Sequence, residues 1–292
     1  MAIQGSCLCG TVRYEVSAPF TAMLSCHCSM CRKHHGAPFA TYANTALSGF
    51  RWTSGEPTLG HYGASPNYSR SFCTTCGAVA PSLMPSEGLA FVPAGTLDGD
   101  PGIRVQGHMF VGSKAPWYVI TDSLPQYEAY PPSLGDISTV EQPAVAAEPG
   151  KTVGSCLCGE VRYEITGAAV AMYQCHCGRC RKGRSAAHGA NLFYELEAFR
   201  WMRGDSLVVD YKLPAAERFG VAFCRQCGGS TPRVAAAAGM VVVPAGPLDT
   251  DPGMRPLAHI FVASKAPWFE ITDSIPQLAG APPPRRPASR QR

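Results

Sequence analysis

The chain has 292 residues, 46% of them hydrophobic, enough to fill about two ordinary cores and to exclude a disordered protein. No window approaches the roughly 18 apolar residues of a membrane span, and the start MAIQGSCLCG has no basic segment followed by an apolar run, so a cytoplasmic protein is expected. The formal charge of +4 resides in Arg285, Arg286, Arg290 and Arg292; the remainder is neutral, which argues against nucleic acid as a partner.

Taken in order, the chain repeats itself. Gly5 to Glu15 (GSCLCGTVRYE) matches Gly154 to Glu164 at ten of eleven positions, and Phe110 to Gln126 matches Phe261 to Gln277 at thirteen of seventeen. The offset is 149 residues through Trp52/Trp201 and 151 from Cys73/Cys224 onward. Two residues are therefore inserted in the second copy, and the loop after Tyr62 and Tyr211 is the expected place.

Val12, Tyr14 and Val16 alternate with Arg13 and Glu15, the period of a half-exposed strand, and Val161, Tyr163 and Ile165 repeat it. Phe39 to Tyr42, Phe50 to Thr53, Leu89 to Ala94 and Trp117 to Thr121 read as further strands between Gly-, Pro- and Ser-rich turns. Thirty glycines and twenty-six prolines leave little room for long helices. The expected fold is mainly β: two tandem zinc-pinned domains of small coiled antiparallel sheets, over 1–129 and 151–278. Residues 130–150 read as a Pro- and Ala-rich linker, and 279–292 as a disordered basic tail.

The fourteen cysteines carry the chemistry. Their C-x-C and C-x-x-C spacings suit metal-bound thiolates better than disulfides, and seven per copy cannot all pair within a copy. Cys7, Cys9, Cys73 and Cys76 supply four thiolates, enough for a closed tetrahedral zinc, as do Cys156, Cys158, Cys224 and Cys227. Cys26, Cys28 and Cys31, and in the second copy Cys175, Cys177 and Cys180, supply three each, leaving a position for water or substrate. Up to two Zn²⁺ per copy are expected. Binding two through seven thiolates changes the charge by −3 per copy, which makes the body acidic. His27 and His176 sit between two ligands each and are expected to pack behind the metal rather than bind it.

The order C-x-C, CHC-x-x-C-RK, R-x-F-C-x-x-C-G, then H-x-F-V-x-S-K-A-P-W followed by D-x-x-P-Q, resembles the glutathione-dependent formaldehyde-activating enzyme family, to which centromere protein V is related. The resemblance covers both copies and omits only linker and tail. It implies a β fold with a four-cysteine structural zinc. It also implies a catalytic three-cysteine zinc, matched by Cys26, Cys28 and Cys31, near which glutathione as co-substrate and formaldehyde combine to S-(hydroxymethyl)glutathione. On this reading the protein is a carbon-sulfur lyase or synthase; the alternative is a non-catalytic zinc-stabilised binding module. A zinc already holding three thiolates is a poor Lewis acid, which favours delivery of a substrate thiolate.

Arg70 and Lys33, with Arg32 and Lys114, are the cations near these motifs that suit glutathione carboxylates. His108 and His259 are candidates for a proton shuttle or a structural hydrogen bond. Trp117 and Trp268, in SKAPW, read as core anchors. The second copy has Val221 where the first has Arg70, so the first is expected to do most of the chemistry. The two copies are expected to pair within the chain as a pseudo-dimer.

Overall fold

A computed structural model describes residues 2–65, 68–132, 148 and 150–283; most of the expected linker and the last nine residues of the expected tail lie outside that range. The first copy opens with β1 (Ile3–Ser6), β2 (Arg13–Val16) and β3 (Phe20–Cys26), followed by helix α1 (Ser29–His35). Strands β4 (Ala40–Ala46), β5 (Phe50–Ser54), β6 (Leu59–Ser65), β7 (Tyr68–Cys73) and β8 (Val79–Ala80) come next. It closes with β9 (Ser82–Met84), β10 (Leu89–Pro93), β11 (His108–Met109) and β12 (Gln126–Tyr127). These build the sheets β1-β2-β5, β6-β7-β8 and a larger β12-β11-β3-β4-β10-β9. Pairing is antiparallel except where β11 runs parallel to β3 and β12.

The second copy repeats the plan from β13 (Lys151–Ser155), β14 (Arg162–Thr166) and β15 (Ala171–Cys175) through α2 (Gly178–Arg184), β16 (Gly189–Glu195) and β17 (Phe199–Arg203). Strands β18 (Val208–Lys212), β19 (Gly220–Cys224), β20 (Ser230–Thr231), β21 (Arg233–Ala235), β22 (Met240–Pro244) and β23 (Ala258–Ile260) complete it. Tyr62 faces Arg70 across β6-β7, and Tyr211 faces Val221 across β18-β19. The two inserted residues therefore fall in that hairpin.

Both helices last two turns because their ends are fixed by sequence. The Cys28 side chain accepts the Cys31 N–H as an N-cap, and Gly36 takes the left-handed conformation (φ 62°) that terminates α1. At the matching C-cap of α2 stands Ser185, at φ 50°, whose hydroxyl donates to Val79 O of the first copy at 2.9 Å.

That bond is one of many between the copies. Arg32 Nη1 donates to Gly246 O at 3.0 Å, and Arg181, its counterpart, donates to Leu97 O at 3.2 Å. Lys33 bonds Asp249 and Ser155, and Lys182 bonds Asp98 and Ser6. Gly95 and Gly246 let the helices approach: a Cβ at either would lie within 2.5 Å of backbone atoms of the other copy.

The cores are exchanged as well. Ala266 and Trp268 pack with Tyr14, Met23, Val92 and Leu97 of the first copy. Ala115 and Trp117 pack with Tyr163, Met172, Leu192 and Val243 of the second. The tryptophans are core anchors, each in the core of the other copy. This corrects the reading of Trp117 to Thr121 as a strand, since the segment leaves its own sheets and holds none. No helix among the described residues is long and apolar enough to cross a membrane.

Candidate metal centres and active site

Every cysteine is free, and the fourteen gather into four groups. Cys7, Cys9, Cys73 and Cys76 form one, and Cys156, Cys158, Cys224 and Cys227 its counterpart; Cys26, Cys28 and Cys31, and Cys175, Cys177 and Cys180, form the triads. Within each group all sulfurs lie within 4.8 Å of one another. Tetrahedral zinc with Zn–S of about 2.3 Å sets its sulfurs about 3.8 Å apart. The observed separations are 3.4 Å for Cys7 and Cys9, 3.7 Å for Cys9 and Cys73, 3.9 Å for Cys158 and Cys224, and 3.6 Å for Cys175 and Cys177.

Backbone N–H groups also point at the sulfurs, from Val12 to Cys7, Val161 to Cys156, Cys31 to Cys28 and Cys180 to Cys177. Donors of that kind favour thiolate over thiol. Donor set, spacing and charge compensation fit a thiolate-preferring metal such as zinc in all four groups.

Each tetrad is covered from the other copy. Tyr211 packs on the group of Cys7 and Cys73, whereas Tyr62 and Met30 pack on that of Cys156 and Cys224. Phe72 and Phe223 meet edge-to-face between the two, with centroids 6.3 Å apart.

The triads have no fourth ligand among the described residues. His27 turns away: its Nε2 lies 2.9 Å from His108 Nδ1, and His108 Nε2 lies 3.0 Å from Asp122. His176, His259 and Asp273 repeat the chain. His108 donates its Nε2 proton to the carboxylate and accepts at Nδ1, so His27 donates from Nε2. Desolvation pushes the His27 pKa down to about 3. In the sequence Asp122 and Asp273 stand only as the D of D-x-x-P-Q, with no role assigned; their shared spacing of 14 residues after His108 and His259 was the signal that ties them to the histidines.

Around the first triad stand Tyr42, Phe91, Met109 and Phe110. Phe110 is held at φ 60° and Phe261, beside the second triad, at φ 57°, a conformation costing a bulky residue about 1–2 kcal/mol. Arg70 is only 5% exposed, with Nη2 3.6 Å from Cys31 Sγ and its guanidinium 5.3 Å from the Tyr68 ring centroid. Burial works against its charge, but Cys31 first, then Tyr42, Tyr68 and Cys28, hold its pKa well above the ordinary value. Cys31 in turn is held well below the thiol range by Cys26 and Cys28, with Arg70 adding.

Lys33 is not free beside the triad. Its Nζ forms a buried 2.6 Å ion pair with Asp249 of the second copy, which corrects the expectation that it holds a substrate carboxylate, since that would leave Asp249 buried and unpaired. Arg32 is similarly committed to Gly246, whereas Lys114 is exposed. In the second copy Val221 is buried at the Arg70 position, and Arg184, which the sequence reading missed, brings a buried guanidinium from α2 that bonds Ser230 and Asn191.

A family model described as glutathione-dependent formaldehyde-activating enzyme matches residues 2–113 and 151–264. A crystal structure of a Rhodobacter sphaeroides protein is similar at 30% identity, covering 33% of this chain and 88% of that one, with a TM-score of 0.27. No curated protein matches the chain significantly.

Proposed function

The chain belongs to the glutathione-dependent formaldehyde-activating enzyme family, in two tandem copies, and on that premise we propose that it is a zinc-dependent carbon-sulfur lyase or synthase joining a small thiol to an aldehyde, with glutathione and formaldehyde as the leading pair. The observation that carries this reading is the first triad: three thiols within 4.8 Å of one another, no fourth ligand among the described residues, and a buried guanidinium against Cys31.

Cys26, Cys28 and Cys31 would hold the catalytic zinc, and Cys175, Cys177 and Cys180 its counterpart. Cys7, Cys9, Cys73 and Cys76, and Cys156, Cys158, Cys224 and Cys227, would hold structural ions, up to four in the chain. Bound zinc supplies a lowered pKa to a thiol in its open position. The protein supplies the surroundings: Tyr42, Phe91 and Phe110 exclude water from the triad, and Arg70 keeps positive charge where thiolate gathers. The chain from Asp122 through His108 to His27 fixes the ring of the residue between two ligands.

The proposed domains are 1–129 and 151–278, joined by 130–150. The crossed helices and exchanged tryptophans support one intrachain pseudo-dimer. Fourteen free thiols suit a reducing cytoplasm.

The test is metal analysis of protein prepared under reducing conditions, paired with exchange spectroscopy of ¹³C-formaldehyde and glutathione at equilibrium. Up to four zinc per chain and faster exchange than in buffer are expected. Zinc-free protein, or exchange no faster than in buffer, refutes the proposal.

A further inference from the structure

The buried guanidinium of Arg70 raises a question of charge. Of its donors, Nη2 reaches Cys31 Sγ, but Nε and Nη1 have no partner among the described residues. Arg carries five N–H donors and cannot become neutral by losing a proton, and charged donors left unpaired in an interior cost several kcal/mol. Such donors beside thiolates suit an anionic guest.

Two anions are available from the reaction of the preceding section, on which this inference rests. One is a carboxylate of the thiol. In glutathione both carboxylates sit at the ends of the molecule, several bonds from the sulfur, whereas Arg70 is 5% exposed and lies directly against a triad sulfur. The other is the aldehyde oxygen, which gains negative charge next to the forming C–S bond. The position of Arg70 matches the second.

The Tyr42 hydroxyl, from the cluster around the triad, does not compete. His35 Nδ1 lies 2.9 Å from Arg184 O, and a carbonyl only accepts, so Nδ1 carries the proton. His35 Nε2 is then an acceptor, and the Tyr42 hydroxyl 2.9 Å away donates to it. The Tyr42 proton is thereby committed to His35, by a carbonyl of the second copy.

We propose that Arg70 is a catalytic residue that stabilises the aldehyde oxygen as thiolate adds. The sulfur gives its electron pair to the carbonyl carbon and the C–S bond forms. The π pair of C=O moves to oxygen, which takes up a proton equivalent to the one the thiol released; nothing is oxidised or reduced. Cleavage is the reverse. The second copy lacks this device, since Val221 is apolar and both Nη groups of Arg184 are bonded to Ser230 and Asn191.

The experiment compares wild type, Arg70→Lys and Arg70→Gln in the full chain with two thiols, glutathione and 2-mercaptoethanol, which has neither carboxylate nor ammonium. Removing an oxyanion donor costs about 10²- to 10³-fold in kcat. Arg70→Gln should lose on that order with both thiols, with KM for glutathione within about twofold on the same reasoning, since the interaction is made in the transition state. Zinc content should be unchanged, and added guanidinium salt should restore part of the rate. A raised KM for glutathione with full activity on 2-mercaptoethanol would make Arg70 a carboxylate anchor and overturn the proposal. So would a loss that tracks loss of zinc in both variants without rescue, or unchanged kcat with both thiols. Wild type inactive with every thiol would instead sink the enzymatic reading itself.

Discussion

Replacing Trp268 with alanine should damage the copy that does not contain it. The side chain is 2% exposed and packs with Tyr14, Met23, Val92 and Leu97 of the first copy. A buried aromatic removes about 150–250 Å² from water, worth roughly 4–6 kcal/mol at 25 cal/mol per Å², and measured Trp→Ala losses run about 3–5 kcal/mol. Its Nε1 has no hydrogen-bond partner among the described residues, so the loss is one of packing alone. About 4 kcal/mol is therefore expected, a large part of the roughly 5–15 kcal/mol that holds an ordinary domain. Denaturant unfolding measures the total, and hydrogen exchange read by mass spectrometry locates it. Exchange should accelerate in β3 and β10, around Met23 and Val92, and Trp117→Ala should produce the mirror pattern around Leu192 and Val243. Acceleration confined to the second copy in the Trp268 variant would refute the exchanged core.

Tyr211→Ala should uncover the first tetrad while leaving the second closed, because Tyr211 lies on Cys7, Cys9, Cys73 and Cys76. Losing about 1–2 kcal/mol of apolar cover corresponds to roughly 5- to 30-fold faster alkylation of Cys9, and equal acceleration at Cys158 would contradict the assignment. The pKa of His35 is pushed down to about 4, chiefly by desolvation. The folded chain keeps it neutral while the unfolded chain protonates it below about 6.5, so its stabilising contribution is complete above that pH and is lost as pH falls toward 4. About 2 kcal/mol should go by pH 5, and an unfolding gap between wild type and His35→Gln that ignores pH would exclude this. Cys28→Ser should abolish most thiol-dependent aldehyde turnover, whereas Cys177→Ser should leave most of it and remove one zinc. Equal losses with folding intact would show that Arg70 confers nothing that Val221 lacks.

The sequence by itself determined what local spacing can carry. The duplication, the C-x-C-x-x-C triads, the strand around Tyr14 and the site of the two-residue insertion all follow from patterns within about ten residues, or from comparing one copy with the other. Joining Cys7 and Cys9 to Cys73 and Cys76 rested on counting thiolates, and it is the fold that brings the four together. Spacing alone also made His27 an expected packing residue, because a backbone that aims Cys26 and Cys28 at one metal usually aims the side chain between them elsewhere. What only the tertiary structure decided is which copy each residue serves. Lys33 follows Cys31 by two residues, yet its partner is Asp249; Trp268 closes the first core, Tyr211 covers the first tetrad, and an Arg184 carbonyl fixes the His35 tautomer. Because the two copies carry nearly the same motifs, a contact within one copy and the same contact across the pair have the same sequence signature. Burial of Arg70 against Cys31 was hidden for a related reason: β7 reaches the triad through a sheet built from residues that follow it in the chain, and no local period records that approach.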